Sequence, residues 1–226
     1  MLSAAMWLLV TVVVYAAAKR IYRRYPKIYL TPLLVTPVVL IALLECSGVS
    51  FGTYDRGAGL LSDLVEPATI ALAVTLYKHI DVLRKHAVAI AVGAGCGGVA
   101  AIVTSVCLAR WFGLQPAVTD SLAPRSATTP IAISISRLIG GIPTVTAVAT
   151  LITGLLGLVM GPLIVKGLRM QSPIGRGVLF GTSAHSAGIS KALEYDPVTG
   201  SVASVAMMFT AFVTLCAAPW ILSFLP

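Results

Sequence analysis

Long apolar runs separated by short polar clusters dominate this chain. A spanning helix takes about 20 apolar residues, and the runs of that kind are Ser3 to Ala18, Leu30 to Leu44, Ala87 to Ala109, Pro143 to Val165 and Val202 to Phe224. Three further segments, Ala58 to Tyr77, Ser121 to Leu138 and Val178 to Leu193, are apolar but broken by Gly, Pro, Ser and Thr. The pattern predicts an all-α polytopic membrane protein with about seven to eight membrane segments, some of them broken or re-entrant. The first run lacks a basic leader, so it reads as a short first span and not as a cleavable signal.

Composition agrees with that reading and charge orients it. Of 226 residues, 58% are hydrophobic and only 11% charged, with a mean hydropathy of +0.95. The net charge of +8 would point to nucleic acid in a soluble protein, but its placement points to topology. Lys19, Arg20, Arg23, Arg24 and Lys27 crowd one short loop after the first run, which the positive-inside rule puts on the cytoplasmic side, with the N-terminus outside. The basic loop Lys78 to His86 falls two spans later and so is also inside. The loop Arg110 to Asp120 is then outside and Lys166 to Arg176 inside, so one crossing must separate them. Pro143 to Val165 is the better span, which leaves Ser121 to Gly141 to dip in and return, or to form two half-helices.

No soluble domain or linker is visible, so residues 1–226 read as a single transmembrane domain. Pro67-Ala-Thr-Ile-Ala-Leu-Ala resembles Thr128-Thr-Pro-Ile-Ala-Ile-Ser, which suggests an inverted repeat of two halves, 28–110 and 117–226, with interrupted segments at corresponding positions. The four cysteines, Cys46, Cys96, Cys107 and Cys216, show neither a metal spacing nor a disulfide framework and read as buried small hydrophobes.

Three polar constellations interrupt the apolar pattern. The first is Pro124-Arg-Ser-Ala-Thr-Thr-Pro130. Polar groups at membrane depth are costly unless they line a cavity or a path. Thr129 as N-cap and Pro130 at the first helical position start a helix there, whose open N–H groups suit a carboxylate. Arg125 adds a permanent charge with a bidentate fork, and Ser126 and Thr128 add hydroxyls. The competing reading has Arg125 snorkelling to the interface. The second constellation is Glu66-Pro67-Ala-Thr69, another proline-led helix start, whose acid would repel an anion, pair with Arg125 or carry a coupled proton, or else face water at the boundary of a span. The third is Gly181 to Lys191. On a continuous helix its Ser183, Ser186 and Ser190 share a face. His185 there is a candidate donor to substrate or proton relay, or else a packing residue hydrogen-bonded to a backbone carbonyl.

No enzyme is expected from this inventory. Asp55, Asp63, Asp81, Asp120 and Asp196 lie at loops or run ends, and no metal-ligand spacing or nucleophile elbow accompanies them. Neither a cofactor nor a metal is expected.

Several ordered motifs resemble one family across nearly the whole chain. Glu66-Pro-Ala-Thr-Ile-Ala-Leu-Ala with Leu76-Tyr77-Lys78, Pro124 to Ala132, Ile139-Gly-Gly-Ile-Pro143, Leu158 to Pro162, Gly181-Thr-Ser-Ala-His-Ser186 and Lys191-Ala-Leu-Glu194 are similar to the LrgB/CidB family. The resemblance implies a multi-pass protein of the bacterial cytoplasmic (inner) membrane, often paired with a smaller holin-like LrgA/CidA-like partner and described as an antiholin or regulator of murein hydrolase export. It also implies transport, because plastid relatives exchange glycolate and glycerate and bacterial members are linked to pyruvate and similar acids. Carried over by position, the residues are Pro67, Thr69, Arg125, Ser126, Thr128, Thr129, Pro130, Thr182, Ser183 and His185. Where the family usually has Gly before Pro67 this chain has Glu66, which bears on substrate preference and proton coupling.

The expectation is an alternating-access carrier for small hydroxy- or oxo-monocarboxylates such as glycolate, glycerate, lactate or pyruvate. It is expected to sit in lipid as a homodimer, without nucleic acid. Arg125 and the helix start at Thr129 would hold the carboxylate, and Thr69, Thr182, Ser183 and His185 the hydroxyl or keto oxygen. The alternative is a holin- or antiholin-like protein that regulates murein hydrolase export and cell lysis through oligomerisation.

Overall fold

The computed structural model describes residues 4–25, 27, 30–64 and 77–224, the side chains of residues 62 and 224 excepted. The described secondary structure is helical throughout: α1 Ala4–Arg24, α2 Pro32–Ser47, α3 Phe51–Asp63, α4 Ile80–Lys85, α5 Ala87–Trp111, α6 Pro116–Leu122, a 3-10 turn Ala123–Ser126, α7 Thr129–Leu138, α8 Pro143–Gly167, α9 Pro173–Tyr195 and α10 Pro197–Phe224. Among the described residues, four helices are long and apolar enough to cross a membrane: Ala5–Arg24, Ala87–Trp111, Pro143–Gly167 and Pro197–Ser223, with Pro32–Ser47 a shorter apolar helix. The chain forms two compact units, Met1–Val74 and Thr75–Pro226. The expected segment Ala58 to Tyr77 lies largely outside the described residues.

In the first unit α1 packs on α2 and α3. Trp7 is buried and meets the Tyr54 ring edge-on at 5.8 Å, while the Thr11 and Tyr54 hydroxyls lie 3.2 Å apart. Lys19, Arg20, Arg23 and Arg24 belong to the last turns of α1 and not to a loop. Both residue types are good helix formers and favour the negative end of the helix dipole, so the helix outlasts its apolar run.

The second unit contains two chain reversals. Ile142 N donates to Ser121 Oγ at 2.6 Å, although a straight helix would part the two by about 30 Å. The Thr146 hydroxyl lies 3.0 Å from Ser121 O and 2.7 Å from Ser136 Oγ. The segment from α6 to α7 therefore runs out and comes back, and its two ends are tied to the start of α8. The expectation that Ser121 to Gly141 turns back matches this geometry.

The second reversal lies inside α9. His185 has φ 49° and ψ −134°, a conformation open to glycine and strained for a side chain. Past it the chain doubles back: the Phe180 and Tyr195 rings are 5.6 Å apart, and the Arg176 guanidinium sits 5.3 Å from the Tyr195 ring. In a straight helix those residues would be more than about 20 Å apart. This overturns the shared serine face, because Ser183 stands on one arm while Ser186 and Ser190 stand on the other.

Close packing at the second reversal depends on missing side chains. A Cβ on Gly188 would collide with the Phe180 carbonyl oxygen across the two arms. One on Gly157 of α8 would lie 2.6 Å from Ala184 Cβ and 2.8 Å from Ser183 O. The first reversal is buried by apolar residues of its neighbours, with Ala123, Ala127, Ala132 and Ile135 packed among Ile102 and Val106 of α5 and Ala211 and Ala218 of α10. The cysteines are a correction. All four are exposed, because small core positions on these helices are taken by Ala and Gly.

Gly188→Ala is expected to cost about 1–3 kcal/mol through overpacking. Gly59→Ala, which meets open space, should stay within about 0.5 kcal/mol of wild type. Thermal denaturation of both variants in detergent tests the contrast; equal melting points would mean that the arms do not touch at Gly188.

Candidate functional site

The two reversals meet at their tips. His185 Nε2 lies 3.1 Å from the Arg125 carbonyl oxygen. A carbonyl can only accept, so Nε2 carries the hydrogen and Nδ1 of the neutral ring is left as an acceptor. Local sequence explains why the first tip sits where it does: Pro124 enters the 3-10 turn at its start, and Ala127 then goes extended with φ −93° and ψ 169°. Thr128 follows as the cap residue of α7, with Pro130 in the first turn.

Arg125 points its side chain away from the tip bond, toward two long helices. Nε donates to Ser105 Oγ of α5 at 2.6 Å, and Nη1 donates to Thr153 Oγ1 of α8 at 3.2 Å. Each of these hydroxyls gives its own hydrogen to a carbonyl one turn back, Ser105 to Ala101 at 2.5 Å and Thr153 to Ala149 at 2.8 Å. Both therefore present lone pairs to the guanidinium. Neither carries charge, so these contacts orient the cation without neutralising it. Nη2 has no partner among the described residues, and the side chain is partly exposed.

The junction is more polar than packing requires. Four buried side-chain polar atoms among the described residues lack a hydrogen-bond partner, and two of them, Ser126 Oγ and His185 Nδ1, belong to this junction. Ser126 is 3% exposed and His185 4%. Buried polar atoms are nearly always satisfied in folded proteins, so these two remain open to an ordered water or another polar group.

The remaining expected residues divide as follows. Thr128 is the cap residue, one position earlier than expected, and its hydroxyl does not cap the helix. Thr129 is helical and exposed, as is Pro130. The α7 start thus keeps open N–H groups beside the tip. Thr182 and Ser183 lie on the first arm of α9 and give their hydrogens to their own helix, at Val178 O (2.8 Å) and Leu179 O (2.6 Å). Glu66, Pro67 and Thr69 lie outside the described residues. Ser105 and Thr153 were missed. Their signal was the Thr104-Ser105 hydroxyl pair in the otherwise Gly/Ala-rich α5 run and a Thr146, Thr150, Thr153 ladder on one face of α8.

Farther along, Arg110, Leu114, Pro116, Thr119 and Asp120 line a cavity of about 390 Å³ near the start of the first reversal. Burial raises the Asp120 carboxyl above its usual range, with the Arg110 charge pulling it back down.

Substitutions at His185 separate its bond from its backbone strain. His185→Ala loses the bond to Arg125 and keeps the strained φ, for an expected loss of about 1–3 kcal/mol. His185→Gly loses the same bond but relieves roughly 1 kcal/mol of strain. Melting in detergent should rank wild type above His185→Gly and His185→Gly above His185→Ala; the reverse order of the two variants would show that the strained turn is not held in solution.

Comparison with known proteins identifies the chain's family. The LrgB-like family profile matches residues 11–224. The uncharacterized protein YwbG of Bacillus subtilis (strain 168) is 49% identical over 96% of this chain and 97% of its own length. YxaC of the same strain, also uncharacterized, is 38% identical over 93% and 89%. The antiholin-like protein LrgB of Bacillus mycoides (strain KBAB4) is 32% identical over 96% and 95%. No solved structure matches. With a profile spanning nearly all of its length and apolar helices to match, this chain belongs to the LrgB-like family and is a membrane protein.

Proposed function

We propose that the chain is an alternating-access carrier for small hydroxy- or oxo-monocarboxylates, with Arg125 as the contact for the carboxylate. The observation that carries this reading is the Arg125 guanidinium itself. It is held by two neutral hydroxyls at the meeting point of two chain reversals, and Nη2 meets no partner among the described residues. A cation oriented by neutral groups alone among the described residues, inside an apolar helical protein, suits an anion. The open helix start at Thr129 adds N–H donors of the same sign. Ser126 and His185 supply unpaired polar atoms for a second functional group of the substrate.

In this reading both reversals are re-entrant, one from each side of the inner membrane, which brings the total to the expected seven or eight segments. The basic end of α1 lies inside and the N-terminus outside. Glu66, Pro67 and Thr69 enter this reading from the sequence repeat alone, and a homodimer or an LrgA/CidA-like partner would supply the scaffold. None of these groups is arranged for catalysis, so the chain is not proposed as an enzyme.

A second reading has the relatives' names on its side. The LrgB proteins of Bacillus mycoides and Bacillus cereus are named antiholin-like, which favours a holin- or antiholin-like role more directly than a carrier. That role works through assembly and membrane permeability, and it needs interaction faces more than an oriented arginine.

Proteoliposomes distinguish the two. A carrier takes up labelled glycolate, lactate or pyruvate with saturation and shows counter-flow, in which unlabelled substrate inside draws label in. A pore or lysis regulator shows no counter-flow and leaks unrelated solutes. Arg125→Ala should lower substrate affinity roughly ten- to 150-fold, the equivalent of about 1.5–3 kcal/mol for a charged hydrogen bond. Arg125→Lys should fall between, because it keeps the charge and loses the fork. Uptake unchanged in Arg125→Ala, by protein that elutes as a single folded species, would sink the carrier assignment at this site.

A further inference from the structure

A second site lies away from the reversal tips, where α4 meets the long helices α5 and α10. Ile80, Leu83 and Arg84 of α4, Ala87, Ile90 and Ala91 of α5 and Val205 and Phe209 of α10 enclose a groove of about 370 Å³. Arg84 is the only charged residue among them. Leu83 and Ile90 form a buried floor over Ala94, Val202 and Ala206. The small side chains of Ala87 and Ala91 leave the slot open, and Phe209, 37% exposed, borders it.

Two features say what the groove is built for. Ala87 is the first residue of a membrane-spanning helix, so the groove begins at the end of a span and runs along it. Tyr77, 78% exposed, and Lys78 precede α4, and aromatic and basic residues of this kind mark the headgroup level. Charge is concentrated at the same end. Arg84 and Lys85 occupy the last turn of α4, and both are exposed. Asp81, in the first turn of α4, does not line the groove. An occupant must therefore be apolar along most of its length and anionic at one end.

We infer that this groove is a binding site for one anionic phospholipid of the surrounding bilayer, its phosphate on Arg84 and an acyl chain along Ile90, Ala91 and Phe209. Clustered basic side chains at the edge of a span attract anionic headgroups by charge, and the slot fixes one lipid where an open helix face would hold none. This site uses no residue of the Arg125 junction, so its fate is independent of the carrier reading.

Native mass spectrometry of the full chain in detergent, titrated with phosphatidylglycerol or phosphatidylcholine, tests the assignment. Wild type should retain one phosphatidylglycerol at least about fivefold more readily than phosphatidylcholine. Arg84→Gln should remove that preference while still taking up both lipids weakly, and Ala91→Leu, which fills the slot, should lower retention of both. Arg137→Gln changes an exposed arginine on α7 and should leave the preference intact; melting curves establish that each variant is folded. Equal retention of the two lipids by wild type overturns the site, as does a preference that survives Arg84→Gln or falls equally in Arg137→Gln. A dimer that dissociates in Ala91→Leu, with lipid retention unchanged, would mean that a second copy fills the groove, which also overturns it.

Discussion

One hydrogen bond, from His185 Nε2 to the Arg125 carbonyl, joins the two places where the second unit turns back on itself. A reversal in an apolar environment exposes backbone groups that no helix satisfies, each costing several kcal/mol if left bare. The two reversals solve that problem jointly, since one tip supplies the carbonyl and the other the donor. The rest of the arrangement serves that contact. Arg125 is fixed at its main chain by α9 and at its side chain by α5 and α8. Gly157 lets α8 approach the strained turn, and Gly188 lets the two arms close on each other.

The long helices were legible in the sequence because length and hydropathy are local quantities. The runs Ala87 to Ala109 and Pro143 to Val165 differ from α5 and α8 by only two residues at one end. The first reversal was legible for a different reason. Arginine and paired prolines are too costly at membrane depth to be incidental, and the charge rule left no room for a crossing. The second reversal was not legible as a turn. Gly-Thr-Ser-Ala-His-Ser is compatible with an unbroken helix, and nothing local places a histidine at positive φ. Only distant partners, Arg176 with Tyr195 and Phe180 with Gly188, hold it there. Tertiary contacts override weak local preference in such cases.

The same distinction governs the site. Arg125, Ser126 and His185 stood out because each is rare in apolar surroundings. Ser105 and Thr153 did not, since a hydroxyl in a helix bonds its own turn and looks satisfied in isolation. Their role appears only when the spare lone pairs are traced to the guanidinium. Thr182 and Ser183 show the converse. Their types and positions suggested a ligand, and the structure gives their hydrogens to α9 itself.

The two reversals are anchored to different helices, and that asymmetry bears on mechanism. The first is tied to α8 by a hydroxyl network of Ser121, Ser136 and Thr146. The second packs most extensively on α10, where Gly181 meets the Ala203 carbonyl and Gly177 meets Val202. Between the tips stand one neutral hydrogen bond, worth about 0.5–1.5 kcal/mol net, and the glycine-lined approach of α8. Each reversal therefore keeps its own support on either side of that contact. In the carrier reading, a junction of that kind around an oriented charge is where access would alternate between the two sides; the antiholin-like reading places function on the outer helix faces instead.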